Sequence, residues 1–134
     1  MVSIICGAKG SGKTKRIIDA ANGSIAKTDG NIIYLSDQPK HSIMIKPVIR
    51  FIDSTEYGIN SCSAALGFIK GVLASDNDIT MVFIDGLARM ACMDIPSMEE
   101  FYNALSALGE KDCVDFIITV SADSPPEFMQ KYLI

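Results

Sequence analysis

The residues with the clearest chemistry lie near the start of the chain, in the stretch Gly7, Ala8, Lys9, Gly10, Ser11, Gly12, Lys13 and Thr14. They fit the pattern G-x-x-x-x-G-K-[ST], in which glycines let the backbone curl until successive N–H groups point inward at an anion. In that pattern the lysine, here Lys13, reaches the outer phosphates of a nucleoside triphosphate. The hydroxyl, here that of Thr14, is a ligand of Mg²⁺. The stretch, called the phosphate loop (residues 7–14) below, therefore predicts binding of ATP or GTP with Mg²⁺.

The chain on either side of the phosphate loop has the pattern needed to hold it. Residues 2–6 are mostly apolar and predict a short buried strand, while residues 15–21 predict a helix that Asn22 and Gly23 cap at its C-terminal end. Strand, loop and helix in this order are the context that a phosphate site requires, because the positive end of the helix faces the anion. A glycine-rich turn that matches the pattern by chance is the alternative. The dinucleotide pattern G-x-G-x-x-G does not fit, since Lys15 stands where its third glycine should be.

A second stretch with chemistry ends at Asp85. Four hydrophobic residues, 81–84, come directly before this aspartate and predict a buried strand. We expect that strand to lie beside the first one in a parallel sheet, because both are short and continuously apolar. The Asp85 carboxylate would then face Thr14 and the Mg²⁺ ion. A turn aspartate without this role is the alternative.

The rest of the chain alternates strands with helices, which predicts an α/β fold. Further strands are expected at 32–35, 48–52 and 113–120. Helices are expected from a cap at Asn60 or Ser61 to about residue 74, from a capping box at Ser97 and Glu100, and from residue 124 nearly to the end. Segment 40–47 is either an edge strand or a buried turn. The prediction is one domain, residues 1–134, with three α/β/α layers and a parallel sheet of about five strands. In such sheets ligands bind beyond the carboxyl ends of the strands, which draws attention to the phosphate loop, Asp37, Asp53, Glu56, Asp85 and Ser121.

Composition limits the kinds of partner. The formal net charge of −4 argues against nucleic acid as the main partner, since such proteins carry a basic face. The four cysteines, Cys6, Cys62, Cys92 and Cys113, form no C-x-x-C pair, and His41 is the only histidine, so a zinc site is not expected. We predict a reducing, cytoplasmic location without a signal peptide. No apolar run approaches the length of a membrane span.

Together these stretches resemble the P-loop NTPases, and most closely their RecA-like branch, which includes small bacterial ATP-binding proteins. The resemblance lies in the phosphate loop, in Ile84-Asp85-Gly86-Leu87-Ala88-Arg89-Met90, in Ile33-Tyr34-Leu35-Ser36-Asp37 and in Ile117-Ile118-Thr119-Val120-Ser121. It implies that Asp85 is the Walker B aspartate and that Ser121 senses the γ-phosphate. It also places Asp37 where several relatives carry the glutamate that activates water. AAA+ and ABC-type proteins carry a glutamate directly after the aspartate, where this chain has Gly86.

Three functions follow from this pattern. The first is a Mg²⁺-dependent NTPase, in which Lys13 stabilises the transferring phosphoryl group, Asp37 orients water and Glu56 is the fallback. The second is a nucleotide-gated interaction module with little or no hydrolysis, acting on an unidentified protein partner or in a homo-oligomer. The third is a small-molecule kinase, which ranks last because the three arginines form no lid segment. We expect slow turnover in any case, because aspartate is one methylene shorter than glutamate.

A few single residues allow two interpretations. Arg89 is either a solvated or ion-paired arginine, which we favour, or an arginine finger that acts across a subunit boundary. His41 is expected to be an exposed loop residue rather than part of a phosphate site. The methionines at 90, 93 and 98 form either a partner surface or core packing.

Overall fold

The chain folds around one fully parallel sheet of five strands, as seen in a computed structural model that describes all residues 1–134. The strands are β1 (Val2–Gly7), β2 (Asn31–Ser36), β3 (Arg50–Asp53), β4 (Ile79–Asp85) and β5 (Asp115–Ser121). Their order across the sheet is β1-β5-β4-β2-β3. The predicted α/β fold with about five parallel strands is therefore confirmed.

Helices cover both faces of the sheet and give the three predicted layers. They are α1 (Lys13–Ser24), α2 (Cys62–Ser75), the single turn α3 (Leu87–Met90) and α4 (Glu99–Asp112). On one face, α1 packs with Ile17 and Ala21 against a core that includes Tyr34 and Phe83. On the other face, α2 and α4 cover the larger core, in which Ile4, Ile84, Leu105, Phe116 and Ile118 are fully buried. The carboxyl ends of all five strands therefore lie on the same side of the sheet, where the phosphate loop also lies.

The sequence pattern led us to expect the strand that ends at Asp85 beside β1, but the two strands are not neighbours. β5 lies between them and pairs with β1 on one side and with β4 on the other. The two continuous apolar strands do share one parallel sheet. A strand from the end of the chain was inserted between them, which no local pattern in either strand could reveal.

Two predicted helix boundaries are wrong, one because of a tertiary contact and one because of a local turn. α1 continues through Asn22 and Gly23 to Ser24, and the Asn22 side chain instead donates to the Met44 carbonyl and accepts from the Lys46 N–H. α4 begins at Glu99 without a side-chain cap, because residues Ile95–Ser97 form a 3-10 turn that removes Ser97 from the cap position. Of the two predicted caps of α2, Asn60 and Ser61, it is Ser61 that caps the helix, through a hydrogen bond from the Ala64 N–H.

Two further segments are 3-10 turns. Segment 40–47 contains no strand; residues Pro39–Met44 form a 3-10 turn, after which Ile45 is buried. The expected last helix is a 3-10 turn at Glu127–Tyr132. It ends early because the chain then becomes extended: Leu133 forms a parallel bridge with Ile4, and the Ile134 N–H donates to the Ile4 carbonyl.

Tyr34 carries a polar group that the fold leaves without a partner. Its ring is fully buried on β2 and stacks on Phe51 at 5.7 Å between ring centroids, and its hydroxyl makes no hydrogen bond within the chain. Burial, and secondarily the charge of Asp85, raise the pKa of this hydroxyl, so it stays neutral.

Substitution Tyr34→Phe is therefore expected to stabilise the protein. It keeps the ring and removes an unpaired buried hydroxyl, which we expect to raise the free energy of unfolding by about 1 kcal/mol. Urea denaturation followed by circular dichroism measures the change, with Tyr57→Phe at an exposed position as the control. A loss of stability in Tyr34→Phe would mean that the hydroxyl has a partner in the folded protein.

Candidate functional site

The phosphate loop joins the end of β1 to the start of α1 in a conformation that needs its glycines. Gly10 and Gly12 have φ angles of +81° and +92°, in the left-handed region where L side chains are strained. A Cβ on Gly7 would lie 2.5 Å from the Ser11 Oγ. The Ser11 N–H donates to the Ala8 carbonyl at 3.1 Å and closes the loop. The pattern read from the sequence thus corresponds to a tight loop at the N-terminus of a twelve-residue helix, the geometry that binds anions.

Lys13 is the first residue of α1, and its side chain folds back over the phosphate loop. It is only 8% exposed, and its Nζ donates to the Ala8 carbonyl at 2.8 Å. The ammonium is therefore held by a group of the loop itself. An anion in the loop offers the same ammonium a charged partner in place of a neutral carbonyl, and such charge-assisted hydrogen bonds are roughly twice as strong.

Thr14 and Asp85 meet at the mouth of the phosphate loop. The Thr14 hydroxyl donates to Asp85 Oδ2 at 3.1 Å, although the two residues lie 71 positions apart in the chain. Asp85 is the last residue of β4 and is 4% exposed. The prediction that the aspartate carboxylate lies beside Thr14 is confirmed.

Thr119 holds the second oxygen of the same carboxylate, and sequence reasoning missed it. Its hydroxyl donates to Asp85 Oδ1 at 2.7 Å and accepts from the Gly86 N–H at 3.3 Å. This is possible because β5 lies between β1 and β4. The signal in the sequence was a single polar residue within the apolar run 116–120. The sequence pattern pointed instead to Ser121, at the strand end. Ser121 lies opposite Gly7 in the sheet and makes no hydrogen bond to Asp85.

Asp37 lies at the end of β2, next to the same site, but Arg89 engages both of its carboxylate oxygens. The guanidinium donates from Nε to Oδ2 at 2.8 Å and from Nη2 to Oδ1 at 2.9 Å, which is a bidentate ion pair. The hydrogen bonds to Asp37 raise the pKa of Arg89, against the opposing effect of burial. Of the favoured alternatives for Arg89, solvated or ion-paired, the structure shows the ion pair.

The Asp37–Arg89 pair also explains why glycine follows Asp85. Gly86 has a φ angle of +93°, and a Cβ there would lie 2.5 Å from both Asp37 Oδ1 and Arg89 Nη2. A glutamate at position 86 would strain the backbone and force the pair to shift. The ion pair fills the space that a side chain at position 86 would need.

The remaining residues singled out by the sequence lie outside this cluster. Glu56 is exposed and follows β3, which β2 separates from β4. His41 is partly buried with an unpaired Nδ1, so the expectation of an exposed side chain is wrong. Met90 and Met98 are core residues, whereas Met93 is 38% exposed.

The donors at the mouth of the loop suit a magnesium ion better than a softer metal. The two groups that meet there, the Thr14 hydroxyl and the Asp85 carboxylate, are both oxygen donors. The chain has no cluster of three or more His, Cys, Asp or Glu side chains that would enclose a metal. Mg²⁺ keeps several waters and is bound through one or two protein oxygens together with phosphate oxygens, so the pair fits its chemistry.

Thr119→Val is expected to weaken the binding of Mg²⁺ with nucleotide by about 10- to 100-fold, the usual cost of losing a group that orients a metal ligand. The change removes the hydrogen bond to Asp85 Oδ1 and keeps the size and β-branched shape of the side chain. Calorimetric titration with MgATP and with ATP in EDTA measures the effect, which should appear only with Mg²⁺. Thr80→Val, on β4 but away from the carboxyl edge, is the control. Equal affinities for wild type and Thr119→Val would show that Asp85 needs no such support.

Comparison with known proteins adds no assignment. No model of a known protein family matches the chain, and no curated protein matches it. None of the helices has the length and apolar character that crossing a bilayer requires.

Proposed function

We propose that the chain is a RecA-like P-loop protein that binds a nucleoside triphosphate, ATP in the first place, with Mg²⁺ and hydrolyses it slowly. The observation that carries this proposal is the hydrogen bond between Thr14 and Asp85 at the mouth of the phosphate loop. Two oxygen ligands from separate parts of the chain meet there, beside a buried lysine and a helix N-terminus. If the glycine-rich stretch were a turn that matches the pattern by chance, nothing would explain why these groups meet at its mouth.

Each residue of the cluster has a role that its contacts support. Lys13 and the N–H groups of the phosphate loop stabilise negative charge on the phosphates, in a position fixed before binding. The Thr14 hydroxyl and Asp85 Oδ2 supply the oxygen ligands, and Thr119 fixes the orientation of the carboxylate. Mg²⁺, when bound, neutralises charge on the phosphate oxygens.

The Asp37–Arg89 pair favours a second candidate function, a nucleotide-gated interaction module with little hydrolysis. Asp37 is the residue best placed to orient water, at the end of the strand beside β4. Both of its oxygens already accept hydrogen bonds from Arg89. Binding without rapid hydrolysis is the behaviour expected of such a site.

We also propose a cytoplasmic location. The four cysteines are all free thiols, two of them on the surface. Free thiols persist in a reducing compartment.

Calorimetric titration with ATP, GTP and their slowly hydrolysed analogues, each with and without Mg²⁺, tests the proposal. We expect saturable binding that Mg²⁺ strengthens, and Asp85→Asn should remove that strengthening. Asp78→Asn is the matched control, because Asp78 directly precedes the amino-terminal end of the same strand, on the side of the sheet away from the phosphate loop. If no nucleotide binds at millimolar concentration, the proposed function is wrong.

A further inference from the structure

The two edges of the sheet differ in what covers them. At one edge, the C-terminal residues Leu133 and Ile134 pair with Ile4 and cover part of β1. At the other edge, β3 pairs only with β2, and no other segment forms backbone hydrogen bonds with it. The N–H and C=O groups on the outer side of β3 are therefore open to a further strand.

Exposed apolar side chains are concentrated in the segment that contains β3. Seven large hydrophobic residues of the chain are exposed, and four of them lie within residues 43–57: Ile43, Met44, Val48 and Tyr57. Val48, two residues before the strand, is 72% exposed. Exposed apolar surface that is concentrated in this way marks an interaction site more often than scattered residues do.

The charge along this edge changes sign at β3. Two basic residues lie up to the start of the strand and two acidic residues lie from its end: Lys46, Arg50, Asp53 and Glu56. Residues 38–52 contain no acidic residue, and residues 53–69 contain no basic one. None of the four takes part in the three ion pairs of the structure, and Asp53, which is half-buried, accepts hydrogen bonds only from the neutral Thr55. Both signs of charge are therefore free of a charged partner at the open edge.

One further carboxylate lies near Arg50. Asp76 and Arg50 both line a cleft of about 440 Å³ that lies under α2, over β2 and the start of β4. Asp76 accepts hydrogen bonds from the Asn31 side chain and from the Asp78 N–H, and it forms no ion pair with Arg50. Arg50 therefore has no charged partner within the chain.

We propose that β3 pairs antiparallel with β3 of a second copy of this chain, about a two-fold axis, so that the two sheets join into one. Antiparallel pairing brings the basic start of each strand to the acidic end of the other, with Lys46 and Arg50 of one copy toward Asp53 and Glu56 of its partner. The two-fold axis makes this contact twice. Parallel pairing would bring like charges together, and a strand of one charge sign would be repelled at one end.

The helices leave room for the two sheets to join. Phe68 and Val72 of α2 line one small apolar cavity with Ile33 and Leu35 of β2, so α2 lies over β2, one strand in from the edge. In the joined sheet the two β2 strands lie three strand spacings apart, about 14 Å. Packed helices need only about 8–10 Å between their axes. The two-fold axis also turns the carboxyl ends of the two sheets in opposite directions, so neither copy reaches the phosphate loop of the other.

Analytical ultracentrifugation of the whole protein without nucleotide tests the proposal. We expect a monomer–dimer equilibrium with a dissociation constant between about 10 µM and about 1 mM, a weak interface of small area. Salt should shift the equilibrium toward the monomer, because exposed charges are screened. Backbone amides of residues 50–53 should exchange hydrogen more slowly at concentrations where the dimer forms. Because no nucleotide is present, the result does not depend on the proposed function.

An exchange of charges within one chain separates the pairing of opposite charges from a loss of folding. Arg50→Glu and Glu56→Lys should each weaken the dimer at least about tenfold, because each brings like charges together. The double variant restores opposite signs and should dimerise more tightly than either single variant. Lys111→Glu and Glu110→Lys make the same changes on α4 and should leave the dimer unchanged. Thermal melts show whether each variant is folded.

Three results would overturn the proposal. A wild type that stays monomeric at about 1 mM would mean that the charges only protect the edge from pairing. A dimer that both single changes leave intact would place the interface elsewhere on the surface. A double variant that dimerises no more tightly than the single variants would mean that opposite charges do not meet across the edge.

Discussion

Lys13→Ala is expected to weaken binding of MgATP by at least about 100-fold, which corresponds to roughly 3 kcal/mol. The reason is the position of the ammonium, which is buried over the phosphate loop and has one neutral partner, the Ala8 carbonyl. A bound triphosphate would bring negative charge to a cation that is already oriented and largely shielded from water. Removing the lysine leaves those phosphates with the loop N–H groups alone.

Calorimetric titration measures the loss, and Lys15→Ala is the matched control. Lys15 lies two residues further along the same helix, is exposed and pairs with Asp19 on the surface, so its removal changes the charge equally without touching the loop. Thermal melts show whether each variant is folded, because Lys13 is buried and its removal also takes away the packing of its methylene groups. If Lys13→Ala binds MgATP with an affinity within a factor of two of wild type, the phosphate loop is not the binding site.

The phosphate loop, the fold class and the position of Asp85 could be predicted because each depends on neighbours in sequence. The glycines at 10 and 12 occupy left-handed backbone positions, which a local pattern records directly. The strand before Asp85 is continuously apolar because helices cover both of its faces. The carboxyl ends of parallel strands then share one edge, which brings Asp85 to the phosphate loop.

The parts that could not be predicted depend on which strands become neighbours. The insertion of β5 between β1 and β4 places Thr119 against Asp85, and nothing within 116–120 specifies that partner. The same holds for Asp37 and Arg89, which lie 52 residues apart. Gly86 looked like the loss of a catalytic glutamate, whereas it makes room for their ion pair. The error at Ser97 has a different cause, because residues Ile95–Ser97 form a 3-10 turn and Ser97 therefore does not cap the helix.

The second large effect concerns turnover. We expect the wild type to hydrolyse ATP at a rate far below the roughly 10 per second of a median enzyme. Arg89→Gln is expected to raise the rate of phosphate release by about 10- to 100-fold, toward the range that general base catalysis supplies. In the wild type the bidentate pair with Arg89 fixes the orientation of the Asp37 carboxylate and takes up one lone pair of each oxygen, so the group is not free to turn toward water. The substitution releases the carboxylate and keeps a polar side chain of similar length. Steady-state phosphate release with saturating MgATP measures the rate.

The double variant Arg89→Gln with Asp37→Asn decides whether Asp37 is responsible, and it should return to the wild-type rate or below. Arg89→Lys, which keeps the charge without the bidentate geometry, should fall between wild type and Arg89→Gln. Arg50→Gln, on the edge strand away from Asp85, is the control for loss of an arginine and should leave the rate unchanged. An increase that persists in the double variant would exclude Asp37 as the group that orients water. A rate that falls in Arg89→Gln would mean that the arginine assists hydrolysis, because its charge then stabilises the transferring phosphoryl group more than its removal frees Asp37.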